Sequence, residues 1–396
     1  MILKENIFSL AREQLAEAIV NRRHLHSRPE LSFKEYNTVA FVADRLTALE
    51  IPFKKMADTG IVALLKGTQA VSGQVVALRA DMDALPIEEE NVVPYKSQNV
   101  GVMHACGHDV HTSSLLATVS ILSRLKSEFS GAVKFIFQPG EERLPGGASL
   151  MIKEGVLENP RPKGILGQHV MPELAVGRVG FRSGSYMASN DEIYITVIGK
   201  GGHAAMPHLN IDPVSITCEM ITALQQIVSR QANPLIPSVL SFGKIIANGS
   251  NNVIPDKVVI EGTFRTLNEA WREEAHKRMQ EMAVSLVKGM GGKCTFEIRK
   301  GYPVLINEGE LTREMRDHAE NFLGKDKVVD LDLCMAAEDF AFYSQQIPGC
   351  YYRLGVGNEA KGITSGLHTP TFNIDEQALQ TGSGLMAYLA LKYLGN

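Results

Sequence analysis

His104-Ala105-Cys106-Gly107-His108-Asp109-Val110-His111 gathers three imidazoles, a thiol and a carboxylate into one short stretch. These are ligand types suited to zinc, manganese, nickel or cobalt. A lone histidine is usually a surface or core side chain, but three beside a cysteine point to a metal site. A second group, Gln138-Pro139-Gly140-Glu141-Glu142, follows directly on an apolar run. Taken alone, paired glutamates read as a solvated loop. Behind a buried strand they suggest one carboxylate on a metal and its neighbour left as a base. His169, after a third apolar run, and His368, in Ser365-Gly366-Leu367-His368-Thr369-Pro370, complete the candidate set.

The elements around these groups give the reason they would converge. Val75 to Leu78, Val133 to Phe137 and Gly164 to Gly167 read as buried strands, and each is followed at once by polar residues. Asp81 and Asp83 follow the first, Glu141 and Glu142 the second, and His169 the third. Open α/β sheets gather their sites at the carboxyl ends of strands. Two helices are expected ahead of the first strand, one ending before Pro29 and one over about 35–49. Between the first two strands, Leu115, Val119, Leu122, Leu125 and Phe129 share one face of a long helix that Gly131 would stop. From about 186 to 300 the pattern changes. Alternating Ile193, Ile195 and Val197 begin a β-α-β-β-α-β order that fits a ferredoxin-like unit. Cys218 reads there as a small hydrophobe in an amphipathic helix, and Trp271 as a cover for the sheet or for a partner surface.

The chain has 396 residues, enough for two or three domains, with 40 basic and 44 acidic side chains and a formal charge of -4. That balance argues against a general nucleic-acid binder, which would need a basic face. Five cysteines without paired spacing suit a reducing compartment. No targeting segment or membrane-spanning run is expected, which points to a cytoplasmic protein. Gly199-Lys200-Gly201-Gly202-His203 superficially matches a dinucleotide loop, but the third glycine is missing and the strand that leads into it stands in the wrong domain context. No Gly-x-Ser-x-Gly elbow of a serine hydrolase occurs.

These motifs, with Asp81-Met82-Asp83-Ala84-Leu85-Pro86 and Gln168-His169, occur in an order that resembles the M20 family of metallopeptidases and amidohydrolases. More narrowly they resemble its branch of hippurate hydrolase, N-acyl-amino-acid amidohydrolases and auxin-conjugate hydrolases, and the likeness spans essentially the whole chain. The resemblance implies an α/β catalytic domain, a mixed sheet covered by helices as in zinc exopeptidases, with an inserted ferredoxin-like α+β lid or dimerisation domain. The expected boundaries are 1–185 and 301–396 for the catalytic domain and 186–300 for the insert.

The resemblance further implies two divalent ions bridged by the Cys106 thiolate, with Glu142 and His368 on one ion and His108 and His169 on the other. Zinc, manganese, nickel and cobalt all remain open. Glu141 would be the general base and His203 the oxyanion stabiliser, commonly from the partner subunit of a homodimer. Asn251 and Arg265 would contact a substrate carboxylate, and Asp83 would orient a ligand histidine. Where the wider family has a His-x-Asp ligand motif, this chain has Asp81-Met82-Asp83, so Asp81 carries no assigned role. The implied reaction is hydrolysis of N-acyl amino acids. A dipeptidase or aminopeptidase of the same fold is the alternative, and a non-catalytic metal-binding protein is a third reading.

Overall fold

The computed structural model describes residues 2–69 and 73–395. The chain divides into two compact units. One comprises residues 1–184, 306–332 and 339–396, and the other residues 185–305 with the short segment 333–338.

The first unit begins with helices α1 (Ile2–Ser27) and α2 (Tyr36–Ala48). Strands β1 (Phe53–Met56), β2 (Gly60–Lys66) and β3 (Val75–Asp81) follow, then α3 (His108–Arg124), β4 (Ala132–Gln138), α4 (Gly147–Lys153), β5 (Gly164–Ala175) and β6 (Val179–Phe181). After the second unit come α5 (Gly309–Leu323), β7 (Val328–Asp330), β8 (Gly349–Gly357) and α6 (Ala378–Tyr393). The strands form one eight-stranded sheet in the order β1-β2-β4-β3-β5-β8-β6-β7. Its centre is parallel, with β3 beside β4 and β5, and β5 beside β8. The β1-β2, β2-β4 and β8-β6 pairs are antiparallel, so the sheet is mixed. Every residue of β3, β4 and β8 is buried. Successive side chains point to opposite faces, so burial without alternation means that both faces are covered. Helices α1, α3 and α6 pack on one another, and α3 and α6 on the sheet.

Helix α3 departs from the sequence expectation at both ends. It starts at His108, so three of the clustered polar residues lie in its first turn, and it ends at Arg124 instead of running towards Gly131. The carbonyls of Lys126, Phe129 and Gly131 accept from the backbone N–H groups of Thr68, Gln69 and Gly67. Tying those carbonyls to another segment leaves no ladder for the helix to continue. Leu125 and Phe129 remain in the core.

The second unit holds strands Asp191–Ile198, Ser238–Ile246, Lys257–Thr266 and Lys293–Lys300 and helices Pro213–Gln226 and Glu269–Gly289. This is the β-α-β-β-α-β order, folded as an antiparallel sheet with the first strand between the third and the fourth. Asp212 caps the first helix by accepting from Val214 N at 2.8 Å, and Asn268 caps the second through Trp271 N at 2.8 Å. Trp271 packs against this unit's core while its indole N–H donates to Ser238 Oγ at 3.0 Å. Cys218 is exposed, contrary to expectation, because Ile216, Thr217, Met220 and Leu224 form the buried face of its helix and position 218 falls off that phase. No helix among the described residues is long and apolar enough to cross a membrane.

Candidate metal centre

The ends of β3 and β4, the middle of β5 and the start of α3 bring the clustered side chains of the first unit together; His169 lies within β5, paired with Arg353 of β8, because the strand runs on to Ala175 instead of ending at Gly167. Cys106, His108 and His169 present ligand atoms within 4.8 Å of one another, and so do Cys106, Glu142 and His368. Cys106 Sγ lies 3.3 Å from His169 Nε2 and 3.3 Å from His368 Nε2, so the sulfur is common to both groups. Glu142 Oε1 lies 3.5 Å from His368 Nε2 and 3.9 Å from His108 Nε2. His368 is held there although its φ of 59° is left-handed, and its N–H donates to Ala105 O at 2.9 Å.

His169 and His108 each have one nitrogen set by a neighbour. His169 Nδ1 donates to its neighbouring carbonyl, Val170 O, at 2.7 Å, which turns the Nε2 lone pair towards Cys106. His108 Nδ1 faces Asp83 Oδ1 at 3.1 Å. A proton placed there leaves Nε2 as an acceptor, and Nε2 has no hydrogen-bond partner although it is fully buried. His111 differs. Its Nε2 accepts from Val170 N at 2.9 Å, so its proton sits on Nδ1 and is donated to Asp81 Oδ1 at 2.5 Å. With both nitrogens committed, His111 is not available as a ligand, although it lies with Asp81 and His108 in another metal-sized group.

The donor set fits metal ions. The buried Glu142 Oε1 is, like His108 Nε2, without a hydrogen-bond partner, and a buried polar atom left unsatisfied is costly unless something else occupies it. The electrostatics agree. Burial disfavours a charged His108, yet Asp81 and Asp83 outweigh burial and hold its pKa up at about 10, the mark of a pocket that favours positive charge. Burial, with Arg353 and His111, drops His169 well below the usual histidine range. Burial also pushes the Cys106 thiol well above its usual value, and Glu142, Glu141 and Asp81 push the same way. The same acidic surroundings that disfavour a thiolate on its own favour a cation beside it, which would stabilise the thiolate as a ligand.

Arg79 is the supporting residue that sequence reasoning misses, and it ties together carboxylates that the motifs do mark, Asp81 and Asp339. Arg79, inside the buried strand β3, donates to Asp81 Oδ2 at 2.6 Å, Gln138 Oε1 at 2.9 Å and Asp339 Oδ1 at 2.7 Å. Asp81 therefore has a structural part, joining Arg79 to His111. Asp339 Oδ2 accepts from Ala148 N at 2.9 Å, and the Asp339 N–H donates to the buried Glu141 Oε1 at 3.3 Å. Asp83 Oδ2 accepts from Glu142 N at 2.9 Å and from Ser32 Oγ at 2.6 Å, so one carboxylate faces a ligand-type histidine and holds the glutamate loop.

The remaining candidates belong to the second unit. His203 lies on a two-residue strand paired with Val253–Ile254, which places it beside the turn of Asn251 and Asn252. Ala204 N donates to Asn252 O at 3.0 Å. His203 is exposed, and its Nδ1 accepts from Ala205 N at 3.1 Å, which leaves its proton on Nε2. Arg265 is half-buried and donates to Met335 O at 3.0 Å, and Asn251 is exposed.

Comparison with known proteins gives the family. The profile of "Peptidase family M20/M25/M40" matches residues 77–392. An N-acyl-L-amino acid amidohydrolase of Geobacillus stearothermophilus is 42% identical over 308 residues, which is 78% of this chain and 82% of the relative. Thermostable carboxypeptidase 2 of Saccharolobus solfataricus is 38% identical over 376 residues, 94% of each chain. Among solved structures, the Bacillus subtilis YXEP protein, described as a dinuclear metal binding peptidase from the M20 family, superposes with a TM-score of 0.84 at 34% identity. That match covers 97% of this chain and 99% of the other. The chain belongs to peptidase family M20/M25/M40.

Proposed function

We propose that this M20 metallohydrolase cleaves the amide bond of N-acyl amino acids, releasing a carboxylate and a free amino acid. The observation that carries the reading is the sharing of Cys106 between two ligand groups, with the buried Glu141 beside Glu142. In this reading Cys106, His108, Glu142, His169 and His368 would hold two divalent ions, with Cys106 common to both ligand groups. When bound, such ions lower the pKa of water from about 15.7 towards roughly 7 and polarise the amide carbonyl.

Glu141 takes the proton from the attacking water and returns it to the departing amine. Its carboxylate is aimed by the Asp339 N–H. Asp83 keeps His108 in the tautomer that offers Nε2. His203 is assigned to the oxyanion, supported by a tautomer that leaves an Nε2–H to donate. Arg265, whose guanidinium fork suits a carboxylate, and Asn251 are assigned to the carboxylate of the amino-acid half. The relative named as a carboxypeptidase fits the same requirement, a free carboxylate next to the scissile amide. The dipeptidase or aminopeptidase alternative would require recognition of a free amine.

Domain boundaries near 185 and 300, with the insert as lid and homodimer interface, are part of the proposal. The exposed Val239, Ile245 and Ile246 on the edge strand Ser238–Ile246 support the interface. A monomeric mass by light scattering overturns it.

The central test pairs Glu141→Ala with a panel of N-acetyl amino acids, N-benzoyl amino acids and dipeptides, using enzyme reconstituted separately with zinc, manganese, nickel or cobalt. The variant is expected to keep its metal content and lose turnover by about 10²- to 10⁴-fold. Near-normal turnover rejects the base assignment, and a preference for dipeptides favours the alternative.

A further inference from the structure

Glu35 stands at the N-cap of α2, yet its side chain does not cap that helix. Glu30 does the work instead, accepting from Asn37 N at 3.1 Å and Thr38 N at 2.8 Å. The Glu35 carboxylate turns inward and is fully buried. Its Oε1 accepts from Gly140 N at 2.7 Å and Phe33 N at 2.9 Å, and its Oε2 accepts from Thr59 Oγ at 2.6 Å.

Gly140 is the residue immediately before Glu141. Its φ of +56° is left-handed, and a Cβ there would lie 2.2 Å from Phe33 Cε1. The Ser32–Glu35 turn therefore lies directly against the glutamate loop and is tied to it twice. Glu35 holds the loop through Gly140 N, while Asp83 binds both Ser32 Oγ and Glu142 N.

We propose that Glu35 is a positioning residue. It fixes the backbone from which Glu141 and Glu142 project, through a hydrogen bond to Gly140 N, and it does so from a segment 105 residues away in the chain. The proposal rests on the reading of Glu141 as the base and Glu142 as a ligand. A carboxylate is a costly choice for this place. Burial, joined by the like charge of Asp83, pushes its carboxyl up to about 7. An apolar side chain would avoid that cost but would leave the Gly140 and Phe33 N–H groups unpaired. A glutamine would keep Oε1 on both N–H groups and place an amide against the Thr59 hydroxyl, which can rotate to accept.

The experiment compares Glu35→Leu and Glu35→Gln in the metal-loaded, full-length protein. Two readouts are taken: hydrogen–deuterium exchange of the peptide spanning residues 138–147, and kcat and KM on an N-acetyl amino acid. In Glu35→Leu, exchange at the Gly140 and Glu142 amides is expected to rise at least roughly tenfold. Its kcat is expected to fall about 10²-fold with KM nearly unchanged, the cost of a misplaced reacting group. Glu35→Gln is expected to match the parent in both readouts. Unchanged exchange in Glu35→Leu, or an equal loss in Glu35→Gln, overturns the proposal. If Glu35→Leu does not fold, Thr59→Val loosens the carboxylate without emptying its pocket, and parent-like values in both readouts then overturn it. Glu141→Ala separates the two readings. Should that variant turn over normally, the base assignment fails, while the exchange readout, which needs no turnover, still decides the part of Glu35.

Discussion

Arg22 of α1 and Asp109 in the first turn of α3 form an ion pair of 2.8 Å in which both side chains are wholly buried. His26 Nδ1 shares the same carboxylate oxygen at 2.8 Å, and its Nε2 faces Glu89 at 3.1 Å. Burial and Arg22 work against a charged His26, but Asp109 and Glu89 outweigh them and raise its pKa. Burial also opposes an ionised Asp109, yet Arg22 and His26 hold its carboxyl well below the usual range, so protonation is no easy escape from a lost partner. Arg22→Met leaves a buried carboxylate supported by His26 alone. Asp109→Asn leaves a buried guanidinium whose nearest remaining carboxylate, Glu376, is 3.5 Å away. Breaking such a pair costs about 3 to 5 kcal/mol, because one charge stays desolvated without compensation. A loss of 3 kcal/mol shifts the folding equilibrium roughly 150-fold. Arg22→Met with Asp109→Leu removes both charges and strands neither, so the double variant is expected within about 2 kcal/mol of the parent. Urea unfolding by far-UV circular dichroism measures this, and the single tryptophan, Trp271, reports the second unit separately. Single variants that lose less than about 1 kcal/mol, or a double loss equal to the sum of the two, would refute the reasoning.

Two further outcomes follow from buried carboxylates beside the same centre. Asp83→Asn weakens the hold on His108 Nδ1, and competition dialysis against a chelator is expected to show metal affinity lowered by about 10- to 100-fold; unchanged retention rejects the orienting role. Glu35 has a folded pKa of about 7 against 4.5 as the reference. Between those values the native state binds more protons than the unfolded one, so the parent loses stability as pH rises through that window, by about 3 kcal/mol in all. Glu35→Gln lacks this term. Its advantage over the parent should grow from near zero below pH 4.5 to that amount above pH 7, whereas urea midpoints that run parallel across pH would exclude it.

The parts of the site legible in the sequence were those with dense local signals. His104 through His111 and the Glu141-Glu142 pair stand next to continuous apolar runs, and the strand-end rule gathers them. The supporting residues carried fainter signals or none. Arg79 announced itself only as a charge inside an apolar run. Glu35 gave no local sign, since Gly140 lies 105 residues away, and Asp339 stood out only through the family likeness of Glu338-Asp339-Phe340. Nor do residue types alone separate His111 from the ligand-type histidines. That distinction depends on Val170 N, which occupies the nitrogen a metal would need. The order of elements in the second unit was readable because alternating strands and helix caps leave different periodicities, whereas in the first unit only β3, β4 and β5 and the helices α1 to α3 were. The early end of α3 was not, because it is imposed by hydrogen bonds from residues 67–69.

Strand β8 is the last strand in the chain, yet it lies between β5 and β6. During synthesis β5 therefore emerges with one edge unpaired and keeps it so until residue 357 has left the ribosome. At roughly 5 to 20 residues per second, the delay is on the order of ten to forty seconds. Through that interval the edge of a strand that is mostly buried in the finished sheet is open to the wrong partner. The second unit, continuous but for one short segment, is encoded within this gap. Most of it can fold while the first unit waits for its closing strand, so the nascent chain carries a largely finished domain beside an unfinished sheet.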